Sequence, residues 1–147
     1  MVVAIQVLVT VAVMSFSVVA VAADLNRTHA TNPRWVGHAR FHLVWQVTTH
    51  VGAGALAVVL TWAPLGSREF RVAVAAVIAA AVLAGFFVAM ATMRLYGGQL
   101  ADTNGYRPVP ITVAGRRRAV DKNVALFVGA ALMLSVAAVL MVINGGV

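Results

Sequence analysis

The chain has 147 residues, 62% of them hydrophobic and 10% charged, with four histidines, no cysteine and a net charge of +7. So apolar a composition excludes a soluble globular domain and leaves room for four bilayer-spanning helices; the lack of cysteine excludes thiol redox chemistry, disulfides and Cys-ligated metal or iron–sulfur sites. The basic residues lie between apolar spans, where they set orientation and attract anionic headgroups, so the expected partner of this charge is membrane lipid and not nucleic acid.

The first span, residues 2–23, carries no charge and only Gln6, Thr10, Ser15 and Ser17 as polar interruptions. At about 1.5 Å per residue it crosses the roughly 30 Å of bilayer hydrocarbon. Its end, AVAAD, has the small residues of a signal-peptide cleavage site. The basic flank of a signal peptide is missing and the apolar core is too long for one, so the reading is a retained helix.

Residues 24–50 then gather all four histidines, His29, His38, His42 and His50, together with Asp24, Asn26, Thr28, Asn32, Arg40 and Gln46. Polar groups are expensive beside hydrocarbon, so this cluster is where chemistry is sought. Asn32-Pro33 forms a turn pair, and Asp24 or Asn26 suits the cap of a helix end.

The second span, about residues 41–62, is bracketed by Trp35 and Trp45 at one end and Trp62 at the other, as amphipathic rings at two interfaces would be. Pro64 and Gly66 end it. The third, about residues 71–93, has Ala81 and Gly85 as a small-xxx-small pair expected to admit a neighbouring helix. The long connection of residues 94–123 is broken by Gly97, Gly98, Gly105, Pro108, Pro110 and Gly115; it is either a cover for the bundle mouth or a solvated loop. The fourth span, residues 124–143, carries Gly129, Ala130 and Ala131 at its expected packing face, with Asp121 placed to cap it. The fold class is therefore an all-α membrane protein, a bundle of four transmembrane helices with a long connection between helices 3 and 4.

With a helix starting near Gly37, His38, His42, Gln46 and His50 fall four residues apart and share one face, which is expected to look away from lipid. His38 and His42 can chelate one metal ion from a single helix or act as an acid–base pair, since imidazole titrates near neutral pH. His29 and Asp24, or Asp102 and Asp121, are the candidates for further ligands, and a set without sulfur suits zinc, iron or manganese. Haem is disfavoured, because its axial ligands belong on opposing helices and all four histidines fall in one segment. Membrane desaturases and hydroxylases also use H-x3-H but add histidine boxes that this chain lacks. Arg40 is placed to grip an anionic group, with Gln46, His50, Asn26 and Asn32 as further ligand-binding candidates. In the plainer alternative the histidines, Asn26, Asn32 and Gln46 satisfy one another and cap helices.

The run N-x-T-H-x2-N-P-x-W-x2-H-A-R-F-H, here Asn26 to His42, resembles a signature of small, functionally uncharacterised four-helix membrane proteins. The layout is also similar to that of small DoxX-like proteins, through helix count alone. Neither resemblance supplies a reaction. The expected function is to bind, and transform, a lipid-like or quinone-like small molecule in a polar pocket built from the first connection and second helix. The alternative is a non-catalytic subunit docked in a larger membrane complex or against a second copy.

Arg27, Arg34 and Arg40 lie in the first connection and Arg94, Arg107, Arg116, Arg117, Arg118 and Lys122 in the third, whereas the second has only Arg68 and Arg71. The positive-inside rule therefore makes the first and third connections cytoplasmic and both termini external. Single cysteines placed in residues 94–122 are expected to escape a membrane-impermeant thiol reagent in intact cells, while cysteines near the termini react. The reverse pattern inverts this orientation.

Overall fold

In the computed structural model, which describes residues 1–102 and 106–144, four long helices pack side by side and a short hairpin stands between the last two. The elements are α1 (Val2–Asp24), α2 (Gly37–Trp62), α3 (Arg68–Tyr96), β1 (Val109–Val113), β2 (Arg116–Val120) and α4 (Lys122–Ile143). All four helices are long and apolar enough to cross a membrane, α2 being the least apolar. The expected spans are thus all present. Helices α2 and α3 begin a few residues earlier than hydropathy alone suggests, because a helix continues through the interfacial residues that flank its apolar stretch.

Local chemistry sets several ends. The Ser67 hydroxyl accepts from Phe70 N–H at 3.2 Å to start α3, and Asp121 Oδ1 accepts from Asn123 N–H (2.9 Å) and Val124 N–H (3.1 Å) to start α4. The capping role expected of Asp121 is thus observed. At the end of α2 the chain turns extended at Ala63 before Pro64. Proline has no N–H to give to the carbonyl four residues back, so Leu60 and Thr61 are left with open oxygens. Arg71 Nη1 donates to Leu60 O at 2.6 Å, and Gln6 Nε2 donates to Thr61 O at 2.6 Å. Trp62 Nε1 donates to Thr10 Oγ1 at 2.9 Å, so three helices are hydrogen-bonded at this end.

Helix α1 is central: it packs on α2, α4 and α3, and α3 in turn packs on α2 and α4, which puts α2 and α4 on opposite sides. Val9, Ala12, Val13 and Phe16 of α1 are wholly buried, and they meet mostly small side chains, Ala57 of α2, Ala75 and Ala79 of α3, and Ala130 and Ala137 of α4. Such pairing of larger side chains on one helix with alanines on its neighbours brings backbones close, and in lipid close packing is the main source of helix association. The closest approach is at Gly54. A Cβ there would lie 2.5 Å from Ser17 Cβ and 2.8 Å from Ser17 Oγ.

The small pair Ala81 and Gly85 does not meet a neighbour. Both are exposed, and a Cβ on Gly85 or on Gly129 would touch nothing within 4 Å. The packing face of α3 instead carries Val72, Ala75, Ala79 and Leu83, and that of α4 carries Ala130, Leu134 and Ala137. The third connection also differs from the all-helical expectation. Val109 to Val113 pair antiparallel with Val120 to Arg116 around a two-residue turn, Ala114 (φ 48°) and Gly115 (φ 73°), the positive φ values of a type I′ hairpin.

Gly54→Ala is expected to destabilise the bundle by about 1–3 kcal/mol, because Ser17 is backed by α1 and cannot retreat without shifting the helix. Gly85→Ala, with open space around it, is expected to stay within about 0.5 kcal/mol of wild type. Reversible unfolding in mixed detergent micelles, titrated with a denaturing detergent, measures both.

Candidate functional site

The first connection is a scaffold of short-range hydrogen bonds. Asn26 Nδ2 donates to Ala22 O (2.9 Å) and Ala23 O (2.8 Å), closing α1, while its Oδ1 accepts from Thr28 N–H (2.8 Å) and from the Thr28 hydroxyl (2.6 Å). Asn32 is 4% exposed; its Nδ2 donates to Thr28 O (3.0 Å) and its Oδ1 accepts from Arg34 N–H (3.0 Å). Both asparagines, expected among the ligand-binding residues, are thus engaged in holding the connection, leaving little capacity for a ligand.

That scaffold fixes His29. Thr28 Oγ1 gives its proton to Asn26, so His29 Nδ1, 2.7 Å away, is the donor to Thr28 Oγ1. In the neutral ring Nε2 is then the acceptor. Asp24 Oδ1 lies 4.0 Å from the same Nδ1. The imidazole stands edge-on to Trp35 (centroids 5.3 Å, 82°) and to Tyr106 (5.8 Å, 72°).

Tyr106 comes from the third connection and spans the mouth. Its backbone pairs with Asp102, N–H to O at 3.0 Å and O from N–H at 2.8 Å. Its hydroxyl donates to Asn123 Oδ1 at 2.7 Å, and Lys122 Nζ sits 5.5 Å from the ring centroid. Burial and the nearby carboxylates of Asp121 and Asp24 push its phenol above the usual tyrosine range. Tyr106 lines a cavity of about 480 Å³ whose walls include His29, Trp35, Phe86, Asp102 and Asn123. It also lines a second, of about 510 Å³, with Val19, Ala23, Asn26, Thr28, Lys122 and Leu126. The opposite end of the bundle has a far smaller cavity, about 90 Å³, beside Arg68 and Glu69.

The histidine stripe of α2 lies elsewhere. His38 and His42 are exposed, with Nε2 atoms 3.0 Å apart and ring centroids 4.4 Å apart, so one nitrogen carries the proton that the other accepts. Gln46 is exposed as well, and His50 is half-buried, edge-on to Phe16 at 6.0 Å. His42, Trp45, Gln46, Thr49 and His50 line an open groove of about 310 Å³ on the outer side of α2. The stripe therefore shares one face as the spacing requires, but its first three members point away from the bundle and not into it.

The structure brings Asp24 and His29 together and leaves His38 and His42 as a separate pair. Among the described residues, no three His, Asp or Glu side chains converge where a metal ion could be held. Arg40 is half-buried, with its Nε enclosed and without a hydrogen-bond partner, and it makes no ion pair among the described residues. Asp121 Oδ2 is likewise buried without a partner. Tyr106 and Asn123, which close the mouth, carry no motif in sequence. A tyrosine between glycine and arginine and an asparagine in the first turn of a helix are ordinary until the fold joins them.

No family model matches the chain, and no curated protein or solved structure is detectably similar to it. What the four apolar helices support is a small four-helix membrane protein, without assignment to a family.

A tyrosine whose folded form holds its proton more tightly than the unfolded chain contributes stability that is complete below pH of about 10 and lost as pH climbs through the raised value. In a Tyr96→Phe background, the phenolate absorbance of Tyr106 is expected to rise at higher pH in the folded protein than in denaturant. Tyr106→Phe is expected to remove this part of the alkaline loss of stability. Coincident folded and unfolded titrations would show that the mouth does not enclose the phenol.

Proposed function

We propose that the protein binds an amphipathic molecule with a flat, oxygen-bearing headgroup, of lipid or quinone type, at the mouth where the first connection meets Tyr106 and Asn123. The observation that carries the reading is the pair of cavities meeting at Tyr106. Trp35, Phe86 and Tyr106 offer aromatic walls to a flat ring, and His29 and Asn123 offer polar contacts to its oxygens. The second cavity runs between Val19 of α1 and Leu126 of α4, an apolar exit suited to a hydrocarbon tail. His29, held through Nδ1 with Nε2 uncommitted among the described residues, is the group placed to exchange a proton with such a ligand. On the charge bias of the connections, this mouth faces the cytoplasm.

A second reading rests on a different surface. His38, His42, Gln46 and Thr49 are all exposed along α2, and polar side chains within a membrane helix ordinarily face protein or a water-filled cavity. This favours a protein partner on that side, a larger membrane complex or a second copy. The His38–His42 pair would provide two of the ligands for a zinc, iron or manganese ion, with the others supplied from outside the chain, or would serve there as an acid–base pair.

The test uses Trp45→Phe/Trp62→Phe protein in detergent, so that Trp35 alone reports. A short-chain quinone is expected to quench its fluorescence saturably, with affinity falling about tenfold in His29→Ala for the loss of one hydrogen bond. Linear, unsaturable quenching that is the same in His29→Ala rejects the mouth as the binding site; recovery of the protein only in a larger complex would then favour the subunit reading.

A further inference from the structure

The hairpin belongs to neither surface described so far. Its strands pair with each other, pack extensively on no helix, and are exposed at every position except Val120, which is half-buried. In an antiparallel pair, residues directly opposite project to the same side. The register Val109 with Val120, Ile111 with Arg118 and Val113 with Arg116 therefore puts four β-branched side chains and two arginines on one face. Pro110 with Ala119 and Thr112 with Arg117 make the other. Along the first face the apolar residues follow β1 and the arginines gather on β2 toward the turn.

A free hairpin with exposed valine and isoleucine in water is a liability, and two-stranded ribbons are marginal alone. Its charge is one-sided: Arg107, Arg116, Arg117 and Arg118 lie between Asp102 and Asp121 with no acidic residue among the positions from 106 to 120. The hairpin also leads directly into the cap of α4, a membrane-spanning helix, so a lipid surface is within its reach. We infer that the hairpin lies on the membrane beside the mouth, with Val109, Ile111 and Val113 among the headgroups and Arg116 and Arg118 of the same face on anionic lipid phosphates.

The chemistry fits that depth and no deeper. Both outer edges of a two-stranded ribbon leave backbone N–H and C=O groups unpaired, which hydrocarbon does not tolerate and the hydrated headgroup layer does. Arginine suits it further, since its stem lies along apolar surface while its planar fork binds phosphate in bidentate fashion. The occupant is a lipid surface and not a second copy because like-charged arginine runs repel one another, whereas phosphate complements them. Tyr106 and Asn123 flank the hairpin at its base and are joined there by their hydrogen bond. Docking would therefore hold the edge of the mouth at the headgroup level.

The test uses the full chain in nanodiscs of phosphatidylcholine alone or mixed with phosphatidylglycerol. In the cysteine-free background, Ile111→Cys carries an environment-sensitive fluorophore, and Thr112→Cys, on the opposite face, carries the same probe as control. In anionic discs, lipids brominated near the headgroup are expected to quench the Ile111 probe at least twofold more than the Thr112 probe. Each arginine near an anionic surface is worth about fivefold in local partitioning. Raised salt, and separately the Arg116→Gln/Arg117→Gln/Arg118→Gln variant, are therefore expected to bring the two probes level. Equal quenching of both probes in wild type at low salt overturns the inference. So does an Ile111 probe that responds to protein density in the disc without bromine quenching, which would assign the face to a second copy.

Discussion

The rest of the structure depends on how the end of α2 satisfies its carbonyls. A helix that stops at a proline inside or beside hydrocarbon exposes oxygens that water cannot reach, and each must find a donor or the end unravels. Here the donors come from other helices, Gln6 from α1 and Arg71 from α3. The need of one helix end thus sets two interhelical contacts at once and fixes which ends lie side by side. Gln6, otherwise an anomaly in an uncharged span, is 7% exposed and explained by this single bond. Trp62 adds a third tie to Thr10 at the same level, so α1 and α2 are latched near the start of one and the end of the other.

With that end latched, the remaining length of α1 and α2 must pass closely, and Gly54 against Ser17 and Val13 is where the absence of a side chain allows it. The Ser17 hydroxyl does not bond across; it donates to Val13 O in its own helix at 2.8 Å, so its proton is satisfied within α1. The helix pair therefore separates its tasks, hydrogen bonds at one end and van der Waals contact in the middle. The far end is left to the first connection, whose own asparagine bonds hold it without help from α2. That independence is why the mouth can be formed by Tyr106 and Asn123 of the third connection and α4.

Sequence makes the number, length and order of the helices plain, because hydropathy and the breakers Pro64, Gly66 and Gly97 act locally. It does not reveal which way each helix faces. In a soluble helix a polar side marks the exterior, whereas in a membrane helix it can face protein or a water-filled cavity, so the stripe of His38, His42 and Gln46 is legible as a stripe while its outward direction is not. The same ambiguity makes Ala81 and Gly85 resemble a packing pair when the contact face is Ala75 and Ala79. The hairpin is hidden for another reason: its alternation of Val109, Ile111 and Val113 is only five residues long, holds a proline, and turns at Ala-Gly in place of the stronger Asn-Gly signal. His29 meeting Tyr106 joins two connections far apart in sequence, and nothing local in either segment announces it.

Apart from the latch at the end of α2 and the arginines of the hairpin, the polar groups of the first connection and of α2 fall on two surfaces with different demands. At the mouth they are half-buried, mutually bonded and set against aromatic rings, so a ligand entering there would meet oriented donors and acceptors at little cost in reorganisation. On the outer side of α2 they are open, and the His38–His42 hydrogen bond satisfies one nitrogen with the other in the absence of anything else. A face that satisfies itself at the headgroup level can meet lipid, but Gln46, one helical turn farther along than His42, has a side-chain amide whose four hydrogen-bonding sites a hydrocarbon neighbour cannot fill. The burden on that side grows with depth along the helix, and it is relieved by protein more readily than by lipid. The mouth and the outer side of α2 are built from separate side chains, so occupation of one surface would leave the chemistry of the other intact.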